Sequence, residues 1–447
     1  MKALIIALAL SVPTVLAAQS APDPDETAPD LSHPWNLSEC VDWAMEHNLT
    51  VARQGAAVES AEIDKSTAVW SIAPSVSGSV SQNFNFGRGI GGDNTYESGN
   101  SSSTGFSLGA GMTLFDGLAT PNRIKLAKLN LDAATEDLEK TKDDIRIGVA
   151  KAYVQILYNY EIEDVAREQL AIDSLQVERL EGLFGAGAAS AADVSQQKAS
   201  LAQSRVTLVQ ASNSVRESLL DLAQLLELPS WEGFSIVRPE VSMEDVFIGS
   251  PDDIYEDAVG LRPAVKAEQI RLEGMDRSIA IARSAYYPSL SVNAGLGTNY
   301  YSNFGTQGFW DQLNSNFSQY VGLSLNVPIF NRMATRNQVR SAKLNRQNQE
   351  LQLRQVKQSL YKEIQQAWNG TVAARAKYEA SLEASAAAED AFELTKAKYE
   401  NGKATITEFN EARNRVVKAR SDSVQATYEY LFQTRLVQYY RGGALTL

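Results

Sequence analysis

The chain has 447 residues, 44% of them hydrophobic, and a formal net charge of −13. An acidic balance of that size argues against a nucleic-acid partner, which selects for a basic face. The single cysteine, Cys40, excludes an intramolecular disulfide.

The N-terminus opens with Lys2 and the apolar run 3–12, followed by small residues ending Val15-Leu16-Ala17. That order of charge, short apolar core and small-residue site predicts a secretory signal cleaved after Ala17, with Ala18 as the second choice. Cys40 lies too far downstream to carry a lipid anchor. No later stretch is apolar over the roughly 20 residues of a transmembrane helix. The chain is therefore expected to be exported and to cross no membrane by helix.

Segment 18–73 predicts a periplasmic N-terminal portion with a short amphipathic helix. Two strands follow within 74–118. The first sets Val76, Val80, Phe84 and Phe86 on one face against Ser75, Ser77, Ser79 and Ser81 on the other. The second sets Phe106, Leu108, Ala110, Met112 and Leu114 against Ser107, Gly109, Gly111 and Thr113. Strict alternation over about ten residues, apolar against small or polar, is the pattern of a membrane barrel with one lipid face and one water face. The Gly/Ser/Asn-rich stretch 87–103 between them predicts an outside loop.

From 119 to about 183 no proline follows Pro121, and apolar residues recur at heptad-like spacing through Leu138, Ile145, Val149, Ala152, Ile156 and Tyr160. At 1.5 Å per residue such a helix is about 95 Å long. A turn and a returning helix complete a hairpin over 119–228, and 229–287 is expected to be a linker and equatorial segment.

The pattern then repeats. Leu114-Phe115-Asp116 and Ala119-Thr120 recur 215 positions on as Ile329-Phe330-Asn331 and Ala334-Thr335, and Pro74 matches Pro288 at 214. The second copy predicts strands within 288–331, with Leu290, Val292, Ala294 and Leu296 on one and Val321, Leu323, Leu325 and Val327 on the other. A loop at 302–318 separates them, a second long hairpin spans 332–441, and 442–447 is a tail. Four strands leave edges that lipid does not satisfy, so closure needs further copies, and three copies give twelve strands. An exported coiled-coil protein without a pore is the alternative that the helices alone allow.

Where the long helices end, Phe184-x-x-Gly187-Ala188 leads to Asp193, and Tyr399-x-x-Gly402 leads through Thr405 to Glu408. Gly187 and Gly402 suit the left-handed position that closes a helix, and Asp193, Thr405 or Thr407 can cap the returning helix. This doubled tip, together with the strand-helix junctions Leu114-Phe115-Asp116-Gly117 and Pro328-Ile329-Phe330-Asn331, resembles the TolC-like outer membrane factors of Gram-negative bacteria. The resemblance covers nearly the whole chain after the signal.

It implies a homotrimer, with a twelve-stranded β-barrel on a long α-helical periplasmic tunnel, acting as an exit duct whose cargo is left open between drugs, metal ions and secreted proteins. It also implies a periplasmic adaptor and an inner-membrane pump as partners, docked at the tips through Phe184, Gly187, Ala188, Gly402 and Thr405. The acidic ring that narrows such tunnels falls here on Glu408 and Glu411, one helical turn apart. Of the tyrosine, aspartate and arginine that latch the shut tip, Tyr399 and Asp193 match; Ala404 stands at the arginine position, with Lys403 beside it.

Other motifs carry little. Gly87-Arg88-Gly89-Ile90-Gly91-Gly92 has dinucleotide-loop spacing without a following helix. His33, His47 and Cys40 lack metal-ligand spacing. No nucleophile-base set stands out, so no catalysis, metal or cofactor is expected.

Overall fold

The computed structural model describes residues 29–90, 95–239, 249–302 and 308–445. The signal segment and its cleavage site lie outside the described residues.

The first half begins with α1 (Leu37–His47), started by a capping box between Asn36 and Glu39. Asn48 ends α1 and caps α2 (Leu49–Trp70) through its side chain. Strand β1 (Ser75–Asn85), the short pair β2 (Arg88–Ile90) and β3 (Tyr96–Ser98), and β4 (Ser101–Asp116) follow, and then α3 (Ala119–Gly185) and α4 (Ala191–Leu225). The second half runs α5 (Pro251–Leu261), α6 (Pro263–Ser284), β5 (Ser289–Tyr301), α7 (Phe309–Ser315), β6 (Ser318–Asn326), α8 (Ala334–Glu400) and α9 (Ile406–Tyr440). Helices of 11, 22, 67 and 35 residues occur in the same order in both halves. At 67 residues, α3 and α8 each extend about 100 Å.

Three details differ from the sequence expectation. The short helix expected in 18–73 is two, broken at Asn48, and 229–287 holds their counterparts, broken at Arg262-Pro263. The outside loops contain structure: 87–103 carries the β2–β3 hairpin, and 302–318 carries α7, clamped to β5 through Gln312 and the Tyr301 backbone. The alternation of β4 also breaks at a bulge between Thr113 and Phe115. Phe115, and not Leu114, therefore pairs with Leu290 on the apolar face.

The sheet order is β1-β4-β5-β6, antiparallel throughout. Its register stacks the predicted faces into rows. Val76, Ala110, Ala294 and Val321 form one apolar row, and Met112, Val292 and Leu323 another. On the opposite face Ser79, Ser107, Gly297 and Ser318 align, as do Ser77, Gly109, Gly295 and Tyr320. Gly295 is needed here, because a Cβ at that position would stand 2.6 Å from the Tyr320 ring. The apolar face is bare in a single chain, with Val80 71% and Val321 79% exposed. Among the described residues no helix is long and apolar enough to cross a membrane.

Two cores lie where the hairpins meet the short helices, and they are copies of one another. Cys40, Ala44, Val149 and Leu222 occupy one; Ile254, Ala258, Ile364 and Val437 occupy the other at the repeat offsets. Cys40 therefore fills the niche that Ile254 fills in the second copy, and burial pushes its thiol up to about 12. His47 stacks on Trp43 at 3.7 Å. A third core sits under the tips and joins both hairpins through Leu180, Val194, Phe392, Ile406, Phe409 and Val416.

Candidate functional site: the tip hairpins

Both long helices close with the same backbone device. The Gly187 N–H donates to Phe184 O and the Ala188 N–H to Leu183 O; Gly402 to Tyr399 O and Lys403 to Lys398 O repeat the pair. Gly187 and Gly402 sit at φ +76° and +70°, the left-handed region that such a closure requires. Nothing lies within 4 Å of where a Cβ would stand at either glycine, so backbone conformation and not crowding selects glycine there. Phe184, Gly187 and Ala188 are exposed at the first tip.

The returning helices open with matched capping boxes, Ser190 with Asp193 and Thr405 with Glu408. Asp193 is thus engaged with its own turn: Ser190 Oγ donates to its carboxylate at 2.8 Å. Glu408 accepts from the Thr405 N–H at 2.7 Å and from Thr405 Oγ1 at 3.0 Å. Those two donors hold the exposed Glu408 carboxyl below the usual range, helped by Lys398. Glu411 is also exposed and approaches Arg415 at 3.7 Å. The two glutamates share the face of α9 opposite the buried Ile406, Phe409, Asn410 and Arg413.

Tyr399 is half-buried against Phe409, with ring centroids 5.0 Å apart, and burial raises its hydroxyl pKa. The cation over its ring is Arg179 of α3, 5.9 Å from the centroid and 3.5 Å from Glu400. Lys403 has no ion-pair partner among the described residues. The tip therefore brings a guanidinium to Tyr399 from the other hairpin, a contact that no local motif announces.

A buried polar cluster above the tips also escaped the sequence reading. Asp173 on α3 and Arg413 on α9 form an ion pair with almost no exposure. A groove of about 430 Å³ runs beside it, lined by Gln169, Arg179, Phe392, Glu400, Phe409 and Arg413.

An amphipathic antiparallel sheet with two open edges runs with almost no linker into helices of about 100 Å. Those helices end in two glycine-closed, acid-bearing tips. That combination is the architecture of the barrel-and-tunnel class of outer-membrane proteins. The comparisons place it further: the chain belongs to the outer membrane efflux protein family, whose model matches residues 42–227 and 254–438.

Among its relatives, the outer membrane efflux protein BepC of Brucella suis is 23% identical over 316 residues, covering 71% of this chain and 67% of that one. The outer membrane protein TolC of Escherichia coli is 22% identical over 363 residues, covering 77% of this chain and 71% of that one. The fusaric acid resistance protein FusA of Burkholderia cepacia is 28% identical over 204 residues, but these cover 44% of this chain and 37% of FusA. The aligned stretches thus span from about a third to two-thirds or slightly more of those relatives' own length. The solved CmeC channel of Campylobacter jejuni superposes with a TM-score of 0.78 at 19% identity, over 91% of this chain and 85% of its own. The chain is accordingly an outer-membrane protein of Gram-negative type, with the barrel-plus-helical-tunnel fold.

Proposed function

We propose that this chain is the exit duct of a tripartite efflux or type I secretion system. It conducts substrate passively from the periplasm, or from an inner-membrane pump, across the outer membrane as a homotrimer gated at its tips. Relatives named for fusaric acid resistance and for pyoverdine export favour small organic molecules as cargo over proteins. A periplasmic adaptor docks at the tip turns through Phe184, Gly187, Ala188, Gly402 and Thr405. Glu408 and Glu411 face the narrow end and set its preference for cations, with Arg415 offsetting part of the Glu411 charge. Tyr399 and Asp193 contribute to the shut state together with Arg179; Lys403 is a further tip cation.

One observation carries the trimer. Helix α6 packs against both α3 and α8, whereas α2, its counterpart in the repeat, packs extensively against α3 alone among the long helices. The bare side of α2 presents Ile63 and Trp70, 66% and 73% exposed. The repeat thus lacks one neighbour, and the missing piece has the shape of α8 from another copy. Sheet edges β1 and β6 present the same deficit.

Extraction from membranes followed by covalent cross-linking and single-channel recording tests the proposal, with detergent-soluble trimers that conduct as the expected result. A water-soluble monomeric rod without conductance would return the coiled-coil alternative. For docking, Gly187→Val with Gly402→Val is expected to abolish export while trimers persist, since each valine is forced into the left-handed region at about 1–2 kcal/mol. Unimpaired export by that variant would remove the tips from the docking site.

A further inference from the structure

The barrel end of the helical layer is almost free of carboxylates. Beyond Asp64 on α2, Asp132 on α3, Asp276 on α6 and Glu350 on α8, the stretches 65–74, 116–131, 277–288 and 331–349 adjoin the strands. Together they hold eleven Lys and Arg residues against one carboxylate, Asp116. The whole chain has 54 acidic and 41 basic residues, so this end is set apart from the rest. The stretches lie at one level: Arg346 Nε meets Asp276 at 2.7 Å, and a Cβ on Gly274 would stand 3.2 Å from Leu126.

Asp116 is engaged in its own junction, accepting from Thr120 and standing 3.6 Å from Arg123. Lys125, Lys128, Arg336, Arg340 and Lys343 are exposed and have no ion-pair partner among the described residues. Helix physics does not ask for them. Arg336 lies in the first turn of α8, which has no acidic residue, although the helix dipole favours acids there.

These cations share the outer face of the layer. Four heptads below Lys125 and Arg340 stand Tyr153 and Trp368, and a heptad step keeps a residue on its face. Tyr153 Oη donates to Val237 O at 2.7 Å, and Trp368 Nε1 to Gly249 O at 3.0 Å. That face is therefore the one covered by the short helices and their connections. A duct keeps its lumen open, so the covered face looks outward; this step rests on the duct proposed above.

Between the bare apolar face of the sheet and the cations lie Ile329 and Phe330, 95% and 77% exposed, with Tyr286 and Tyr287 also exposed. Apolar strands, then aromatic rings, then unpaired cations is the order in which a leaflet presents hydrocarbon, interface and phosphate. Arg336 to Lys343 span about 10 Å along α8, against a headgroup layer of about 5–8 Å. We infer that Lys125, Lys128, Arg336, Arg340 and Lys343 form a basic collar that seats the protein on anionic phospholipid headgroups of the periplasmic leaflet of the outer membrane.

The test places the full chain in phosphatidylcholine vesicles with trace spin-labelled phosphatidylglycerol or spin-labelled phosphatidylcholine. Electron paramagnetic resonance reads the motionally restricted fraction of each lipid. The expected result is about fivefold stronger association of the anionic lipid, the effect of one cation held at a charged surface. High salt should erase that preference by screening, and so should joint replacement of the five cations by Gln. Lys377→Gln with Lys396→Gln, on α8 far from the barrel, should leave it unchanged.

A wild type without the preference, a preference indifferent to salt or to the five substitutions, or an equal loss from the distant pair overturns the inference. If the cations lined the lumen instead, the five substitutions would raise cation selectivity in planar phosphatidylcholine bilayers and leave lipid association untouched. Conductance of the same preparation keeps two failures apart. A wild type that does not conduct sinks the duct and the outer-face assignment with it; one that conducts without preferring the anionic lipid sinks the collar alone.

Discussion

Helices α2 and α6 have 22 residues each and begin 214 positions apart, yet α6 buries six of its residues in one chain and α2 buries only Val51. The difference is one of neighbours and not of propensity: the second copy of the repeat is flanked on both sides by its own chain, and the first is flanked on one. The strand-helix junctions differ in the same way. Gly117, at φ +67°, lies so close to the end of α6 that a Cβ would stand 2.5 Å from Ser284 O. Its counterpart Arg332 adopts φ +54° with a full side chain. Duplicated sequence in unequal surroundings thus maps, by its unequal burial, the surface still to be covered.

The two halves should differ most at the buried Asp173–Arg413 pair, which the repeat does not reproduce. Arg413→Ala leaves Asp173 charged and dry, and should lower unfolding stability in detergent by about 3–5 kcal/mol. The same change at its repeat counterpart Lys198, which is exposed, should stay within about 0.5 kcal/mol. Equal losses at the two positions would show that the halves are alike.

The junctions give the next largest effect. Gly117→Ala meets both the left-handed penalty, about 1–2 kcal/mol, and the contact with Ser284, so its melting temperature should fall clearly. Arg332→Gly should shift stability by less than about 1 kcal/mol in either direction, because relieved strain is offset by a freer unfolded chain. A large loss on removing the Arg332 side chain would mean that it makes a contact absent from the single chain.

The unequal neighbours of α2 and α6 are probed by Ile63→Asp with Trp70→Ser on α2. The expected product is a folded chain with the wild-type helical signal and a reduced yield of trimers by native electrophoresis. Ile279→Asp on α6, buried in one chain, should instead lose the fold itself. Undiminished trimers in the α2 variant would leave its exposed face without a role.

The smallest effects separate the two throat glutamates. Glu411→Gln should weaken cation selectivity in bilayers without altering stability, since its ion-pair partner among the described residues is the exposed Arg415, at 3.7 Å. Glu408→Gln should weaken both selectivity and, slightly, the start of α9. Its carboxyl is held below the usual range by the Thr405 donors, so its stabilising contribution is present above the ordinary glutamate range and disappears as pH falls through the lowered value. The stability difference from wild type should therefore close in strong acid; a gap that persists there would detach Glu408 from the cap.

Much of this architecture was legible in residues. Proline-free heptads gave α3 and α8, and alternating serines and apolar residues gave the sheet rows that the register confirms. The break between α1 and α2 was readable in hindsight from Asn48 as a cap and from Pro263 in the second copy. The bulge at Leu114 was hidden because Leu114 and Phe115 are both apolar, so a slip in alternation leaves no trace. Cys40 could have been placed in the core through its repeat partner Ile254. Arg179 and the Asp173–Arg413 pair could not be read locally, since the pair's partners are 240 positions apart and meet only once the hairpins pack. Their one signal was charge at positions where a coiled-coil seam expects apolar residues.

The capping box at Thr405 and Glu408 has a consequence for how this duct can diversify. One carboxylate there both starts a 35-residue helix and bears charge at the proposed throat. A change of cargo preference made at Glu408 therefore carries a folding defect with it, and lineages that shift specificity should do so first at Glu411, whose side chain starts nothing.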